Sequence, residues 1–219
     1  MTPFLIVDLI AVATNSLFGA LLARSPTHYK DYTDAGIVIL AVIGGLAGGT
    51  LRDILLNQVP VALTNPLYLL VAIAAGVLAV LVTHRAAEEF LDGALQFFIA
   101  FALPWYAVSG TEKGLASGVG FLSAVLLGIV DATLGRSLVD AASGVTAQAL
   151  VRGDWYMGTA GLASVLYAGL AEAGVTLVPA TAITVAVSFA LRFAALRFGW
   201  ELPQPREPIA PHRQHRRRP

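Results

Sequence analysis

Asp8, Gly36, Gly44 and Arg52 recur 84 positions later as Asp92, Gly120, Gly128 and Arg136. After a slip of four residues the echo continues: Tyr68 returns as Tyr156 and Ala72 as Ala160. Gly and Ala are common in this chain, so the Asp and Arg matches carry most of the weight, because only 13% of the residues are charged. The echo runs through segments that are almost purely apolar, three in each half. A half that crosses a bilayer an odd number of times delivers the next half upside down. The repeat therefore predicts two related halves inverted about the membrane plane, the plan by which many membrane proteins build a symmetric path.

A spanning helix needs about 20 mostly apolar residues. Seven segments qualify: residues 4–23, 35–56, 66–83, 91–109, 114–134, 155–171 and 176–196. Globular domains carry about 25% charged residues; this chain is 57% hydrophobic with a mean hydropathy of +0.73. The expected fold class is an all-α polytopic membrane protein, with seven transmembrane helices arranged as two inverted three-helix repeats plus a seventh helix. Repeat one covers about 4–84, repeat two about 90–174 and the seventh helix about 176–198, together a membrane domain of 1–198. Residues 199–219 read as a disordered basic tail. Loops are short and broken by Ser25-Pro26, Val59-Pro60, Asn65-Pro66 and Arg152-Gly153. The N-terminus lacks a basic region and a small-residue cleavage site, so residues 4–23 read as a retained first helix. With no cysteine, disulfides and thiolate chemistry are excluded.

Loop charge sets the orientation. Arg24, Lys30, Arg85, Arg152, Arg197 and the arginine-rich tail fall on one side, and Lys113 on the other. The positive-inside rule then places the C-terminus in the cytoplasm and the N-terminus outside. The tail has two readings: attraction to anionic lipid, or a topology determinant with no specific partner. Tyr29, Tyr32, Tyr68, Trp155, Tyr156 and Trp200 fall near segment ends, as an aromatic belt requires.

Chemistry concentrates on four segments. The second holds Gly44, Gly45, Gly48 and Gly49, followed by Thr50, Arg52 and Asp53. Each glycine costs a helix about 1 kcal/mol relative to Ala. Such a stretch serves either close packing of small residues or a broken helix whose carbonyls face a cavity. The charged pair after it favours the break, although an interfacial pair that neutralises itself is an alternative. The fifth segment is the degenerate counterpart, with Gly128, Asp131, Gly135 and Arg136, and with Ser137 where the second segment has its acid. Asp131 either faces a water-filled path, where it attracts cations, or faces a helix and pairs with Arg136 or Arg52. Asp8 lies about one turn inside the first segment, and Asn15 lies near mid-membrane, where an amide seeks partners. Pro104 should kink the fourth segment. No phosphate-binding loop, HExxH pair or TVGYG filter occurs, and no acid, base and nucleophile converge. Nothing calls for an enzyme, a cofactor, a resident metal or nucleic acid.

At these residues the chain resembles the prokaryotic trimeric intracellular cation channels, whose repeat is also labelled a glycine-transporter domain. The resemblance covers about residues 4–198. It rests on Asp8 opening a helix, Phe18-Gly19-Ala20, Gly44-Gly45-x-x-Gly48-Gly49-x-x-Arg52-Asp53 and Pro60. In the second half Asp92, Gly128, Arg136 and Tyr156 fit, and the fuller Gly-Gly-x-x-Arg-Asp pattern is absent. The resemblance implies a homotrimer in the plasma (inner) membrane, with a pore inside each subunit lined by glycine-broken helices two and five. It implies permeation by K⁺, with Na⁺ also passing. The candidate pore-lining or gating residues are Asn15, Gly44, Gly45, Gly48, Gly49, Thr50, Arg52, Asp53, Gly128, Asp131, Gly135 and Arg136. The competing reading is a secondary transporter of a small zwitterion such as glycine, with an acid holding the ammonium and Arg52 the carboxylate. A non-conducting scaffold, with the glycines serving only helix contact, is the third.

Overall fold

The computed structural model describes residues 2–83, 88–150 and 155–198. The expected tail at 199–219, together with Arg85, Arg152 and Trp200, lies outside the described residues, as does the side chain of Asp92. The described residues are helical: α1 Pro3–Leu22, α2 Asp34–Leu55, α3 Val61–Thr64, α4 Pro66–Thr83, α5 Glu88–Ala116, α6 Phe121–Ala142, α7 Tyr156–Glu172 and α8 Leu177–Phe198. A 3₁₀ turn at Gln148–Leu150 follows α6.

Local chemistry sets the ends. The Thr2 hydroxyl accepts from the Leu5 amide and Pro3 opens α1, where its missing N–H is not needed. Thr33 caps α2 by accepting from the Gly36 amide at 3.1 Å, with Asp34 in the first turn complementing the helix dipole. Asn57, at φ 54°, turns the chain out of α2. Gly118, at φ 78°, does the same after α5.

Gly118 also explains the one large shift from the sequence reading. Residues 114–134 were expected to form one span, but Gly114 belongs to the last turns of α5, and α6 begins at Phe121. Pro104 sits inside an uninterrupted α5. The expected break of the second and fifth spans is also corrected: α2 runs as one helix through Gly44–Gly49, and α6 runs as one helix through Gly128 and Gly135. Here the glycines serve packing. A Cβ on Gly48 would sit 2.7 Å from Asp131 Oδ1 and closer still to the Asp131 carbonyl oxygen, and a Cβ on Gly135 would overlap the Gly44 carbonyl oxygen. The two helices touch backbone to backbone, an approach only small residues allow.

Helices α1, α2 and α4 pack against one another, and so do α5, α6 and α7; contacts of α1 with α5 and α2 with α6 join the groups. Helix α8 lies against α5 and α7. Helices α1, α2, α6 and the Leu177–Ala195 part of α8 are long and apolar enough to cross a bilayer, and Pro66–Val82 of α4 is apolar but shorter. Leu69, Leu70, Ile73, Leu78 and Leu81 of α4 point outward, while Tyr68, Ala72 and Ala79 of the same helix are buried. An apolar exterior of this kind belongs in lipid, and the chain is a multi-pass membrane protein.

Candidate functional site

The close approach of α2 and α6 at Gly48 decides where the charges go. Arg52 is one turn beyond Gly48 on the same face of α2, so it reaches the Asp131 side chain directly. Arg52 Nη1 donates to Asp131 Oδ2 at 2.8 Å, to Ser109 Oγ at 2.8 Å and to Asp8 Oδ1 at 3.3 Å. Arg52 Nε donates to Asp53 Oδ1 at 2.9 Å. Helix α5 brings Tyr106, Ser109 and Lys113 to the same place from one face. The Ser109 hydroxyl donates to Asp8, and Lys113 Nζ donates to Asp53 Oδ1 at 2.6 Å. Tyr68 of α4 donates to Asp8 Oδ2 at 2.7 Å. The Val61 amide at the start of α3 donates to Asp53 Oδ2 at 2.8 Å. Tyr106 donates its hydroxyl to the Gly45 carbonyl.

Four helices, α1, α2, α5 and α6, therefore supply partners to one guanidinium that is 1% exposed, and α3 and α4 brace its carboxylates. Asp8, Asp53 and Asp131 are as deeply buried, at 1–2%. Three carboxylates face two cations, Arg52 and Lys113, which leaves one formal negative charge in excess. One carboxylate oxygen, Asp131 Oδ1, has no hydrogen-bond partner and presses against Gly48. Buried charge is tolerated only when paired, and a buried acceptor without a donor is costly. A cavity of about 10 Å³ adjoins the cluster, walled by Asp8, Gly45, Gly49, Thr50, Arg52 and Tyr106. That is the room of about one water molecule. Among the described residues no group of three or more His, Asp or Glu side chains is arranged to hold a metal ion.

Of the residues singled out in the sequence, Asp8, Gly45, Gly48, Gly49, Thr50, Arg52, Asp53 and Asp131 meet here. The two alternatives for Asp131 resolve toward a helix interface and Arg52. Arg52 and Asp53 are not an interfacial pair at the lipid headgroups, being sealed inside the bundle. The others lie elsewhere. The Asn15 amide donates to the Ala11 carbonyl at 3.3 Å and to the Ala102 carbonyl at 3.5 Å, tying α1 to α5. Gly44 packs on Gly19 and Gly135, and Gly128 packs on Thr111 and Ser164. Arg136 forms a second cluster: its guanidinium lies between the rings of Phe18, at 5.3 Å, and Tyr156, at 5.2 Å, with Asp140 at 3.6 Å.

Sequence reasoning passed over Ser109, Tyr106 and the role of Lys113, which read as a loop cation. It placed Tyr68 and Tyr156 in an aromatic belt, yet both are 4% exposed and serve the two arginine clusters. The signal was available, since both tyrosines belong to the repeat echo and each lies beside the arginine of its own half.

The chain is similar to known membrane proteins along most of its length. The family profile described as glycine transporter matches residues 5–84 and 96–172. The inner membrane protein YadS of Escherichia coli strain K12 is 25% identical over 198 residues, covering 90% of this chain and 93% of YadS. The trimeric intracellular cation channel orthologue from Rhodobacter sphaeroides superimposes with a TM-score of 0.81 at 27% identity, covering 91% of this chain and 100% of that one. A second structure, solved to explain conductance through these cation channels, shares the fold with a TM-score of 0.78 at 24% identity, covering 95% of this chain and 100% of its own.

Proposed function

Because the chain belongs to the trimeric intracellular cation channel family, whose profile carries the glycine-transporter description, we propose that it is a monovalent cation channel permeable to K⁺ and also to Na⁺. The family is one of channels rather than enzymes. The observation that carries the reading is the set of three carboxylates gathered about Arg52 and Lys113, buried where α1, α2, α4, α5 and α6 meet.

The path runs inside each subunit of a homotrimer. Its oxygen donors are Asp8, Asp53, Asp131, Thr50 and the carbonyls beside Gly45 and Gly49. The cavity beside Arg52 has room for about one water and not for a hydrated ion, which supports reading this conformation as closed. Arg52 occupies the place of a permeant cation, tethered to the protein and bonded to the same carboxylates. Conduction requires the guanidinium to leave that place, and the unpartnered Asp131 oxygen then has a cation to face. Gly44, Gly48 and Gly135 hold the α2–α6 contact about which the helices move, Gly128 seats α6 on α5 and α7, and Asn15 ties α1 to α5 beside it. Two inverted repeats, about 4–84 and 90–174, with a seventh helix at about 176–198, give the path its symmetry; the two stretches matched by the family profile support that division. The protein sits in an inner membrane with its N-terminus outside and its basic C-terminal tail inside, next to anionic lipid.

The test is ion flux through purified protein in KCl-loaded liposomes, run beside radiolabelled glycine uptake. Electrogenic K⁺ flux without saturable glycine uptake, altered in Asp131→Asn, is the expected result. Saturable counter-flow of glycine without unitary currents would replace the channel by a zwitterion carrier.

A further inference from the structure

Beyond Lys113 the Arg52 cluster meets a second, larger cavity. It measures about 360 Å³ and is lined by Phe4, Gln58, Glu112, Lys113, Ala116 and Ser117. It sits at the end of the bundle where α1 begins and where α2 and α5 finish. The Gln58 amide donates to Ser117 Oγ at 3.2 Å, tying the loop after α2 to the end of α5. One ion pair links this cavity to the cluster. Lys113 lines the larger cavity, Asp53 walls the small one beside Arg52, and Lys113 Nζ lies 2.6 Å from Asp53 Oδ1.

Glu112 lines the same cavity, and among the described residues no cation pairs with it. Its side chain is nevertheless held. Glu112 Oε2 accepts from the hydroxyl of Tyr167 at 2.7 Å, and Tyr167 is 1% exposed. Tyr167 is in turn fixed by packing with Val7, Val108 and Ala180. An ionised carboxylate has about four acceptor sites, so one neutral donor orients Glu112 and leaves most of its capacity for an ion.

From this geometry we propose that the cavity is the entry vestibule of the cation path, and that Glu112 is the residue that concentrates cations in it. The vestibule presupposes the channel reading and adds to it the place where the ion waits. Size allows this: at the roughly 30 Å³ that a water takes in the liquid, the cavity has room for a monovalent cation with several of its waters. Charge favours it. The stretches 56–65, 117–120 and 173–176, which join helices at this end, carry no charged residue. The charge of Lys113 is met by Asp53, so Glu112 faces the cavity without a counter-ion. A cleft with low-dielectric walls focuses such a field on its contents. A cation held there stands one ion pair away from Asp53.

The expected size follows from Coulomb attraction. A unit charge about 6 Å from the waiting ion, in a water-like medium, raises the local cation concentration about threefold. At about 0.01 M salt the screening length is about 30 Å and the attraction is nearly whole; at about 1 M it is about 3 Å and most of the attraction is gone. A Glu112 that served only to tie α5 to α7 through Tyr167 would be indifferent to salt.

The test is K⁺ conductance of the full chain in planar bilayers at about 0.01 M and about 1 M KCl. Glu112→Gln keeps an acceptor for the Tyr167 hydroxyl and loses the charge. It should conduct about threefold less than wild type at low salt, and the deficit should close as salt rises. Unitary currents at high salt also show that the variant is folded. Glu172→Gln removes an exposed carboxylate from the end of α7, outside the cavity, and should show no such deficit. A Glu112→Gln deficit that is absent at low salt, or that persists undiminished at high salt, would overturn the vestibule. So would an equal deficit in Glu172→Gln, since surface charge in general would then suffice. Wild-type protein without unitary K⁺ currents sinks the channel reading and the vestibule together. Unitary currents with a salt-independent Glu112→Gln deficit leave the channel standing and sink the vestibule alone.

Discussion

Replacing Arg52 by Gln should cost far more stability than replacing Asp131 by Asn, although the two side chains are bonded to each other. Arg52 serves three carboxylates and Ser109. Without its charge, Asp8, Asp53 and Asp131 remain buried, and Lys113 reaches only Asp53 among them. The formal excess grows from one negative charge to two. Removing one member of a buried ionic cluster typically costs about 3–5 kcal/mol. In Asp131→Asn the excess falls to zero. The Asn carbonyl can stand where Oδ2 stands and still accept from Arg52. The loss is the difference between a charged and a neutral hydrogen bond, about 1 kcal/mol, and removal of a partnerless anionic oxygen offsets part of it. The assay is thermal unfolding of both variants in one detergent, followed by circular dichroism. The arginine variant should melt well below wild type, roughly 6–20 °C lower, and the asparagine variant within about 4 °C of it. Equal losses in the two would refute the reasoning, because the surplus charge would then not be a cost that Asp131 carries.

Other variants probe the packing and the second cluster. Gly48→Ala should destabilise by about 1–3 kcal/mol or more, since the Asp131 carbonyl it meets is backbone and cannot step aside. Gly49→Ala, whose Cβ would lie 3.4 Å from the Arg52 guanidinium and 3.8 Å from Asp131 Oδ1, should be neutral or gain up to about 1 kcal/mol of helix propensity; paired melting curves check both. Tyr68→Phe leaves Asp8 one donor short and should cost about 1.5–3 kcal/mol in the same assay. Arg136→Lys keeps the charge but loses the flat fit between two rings, for about 0.5–2 kcal/mol, and chemical denaturation should find it milder than Arg52→Gln.

Much of the architecture was legible in the residues. Hydropathy marked the helices, because a chain in lipid must satisfy its backbone internally and only long apolar stretches do so. Six of the seven expected spans coincide with observed helices. The exception, residues 114–134, failed because continuous apolarity cannot say where a helix turns; Gly118 decided that with its backbone angle. The glycines were legible as special, but their use was not. Gly-rich sequence serves a broken helix and a close contact equally well, and the presence of α6 opposite Gly48 and Gly44 selected contact.

The sequence by itself determined that Asp8, Arg52 and their echoes were exceptional, since charges in an apolar chain need partners. It did not determine which partners. Asp131 had two candidate arginines, and both were within plausible reach along the chain. Only the tertiary structure put Arg52 against Asp131 and Arg136 against Asp140, because the crossing of α2 and α6 at glycine sets which face of each helix meets the other. Ser109, Tyr68 and Lys113 joined the cluster for the same reason. Each is ordinary in its own segment, and the site exists only where the helices bring these polar positions to the same buried point.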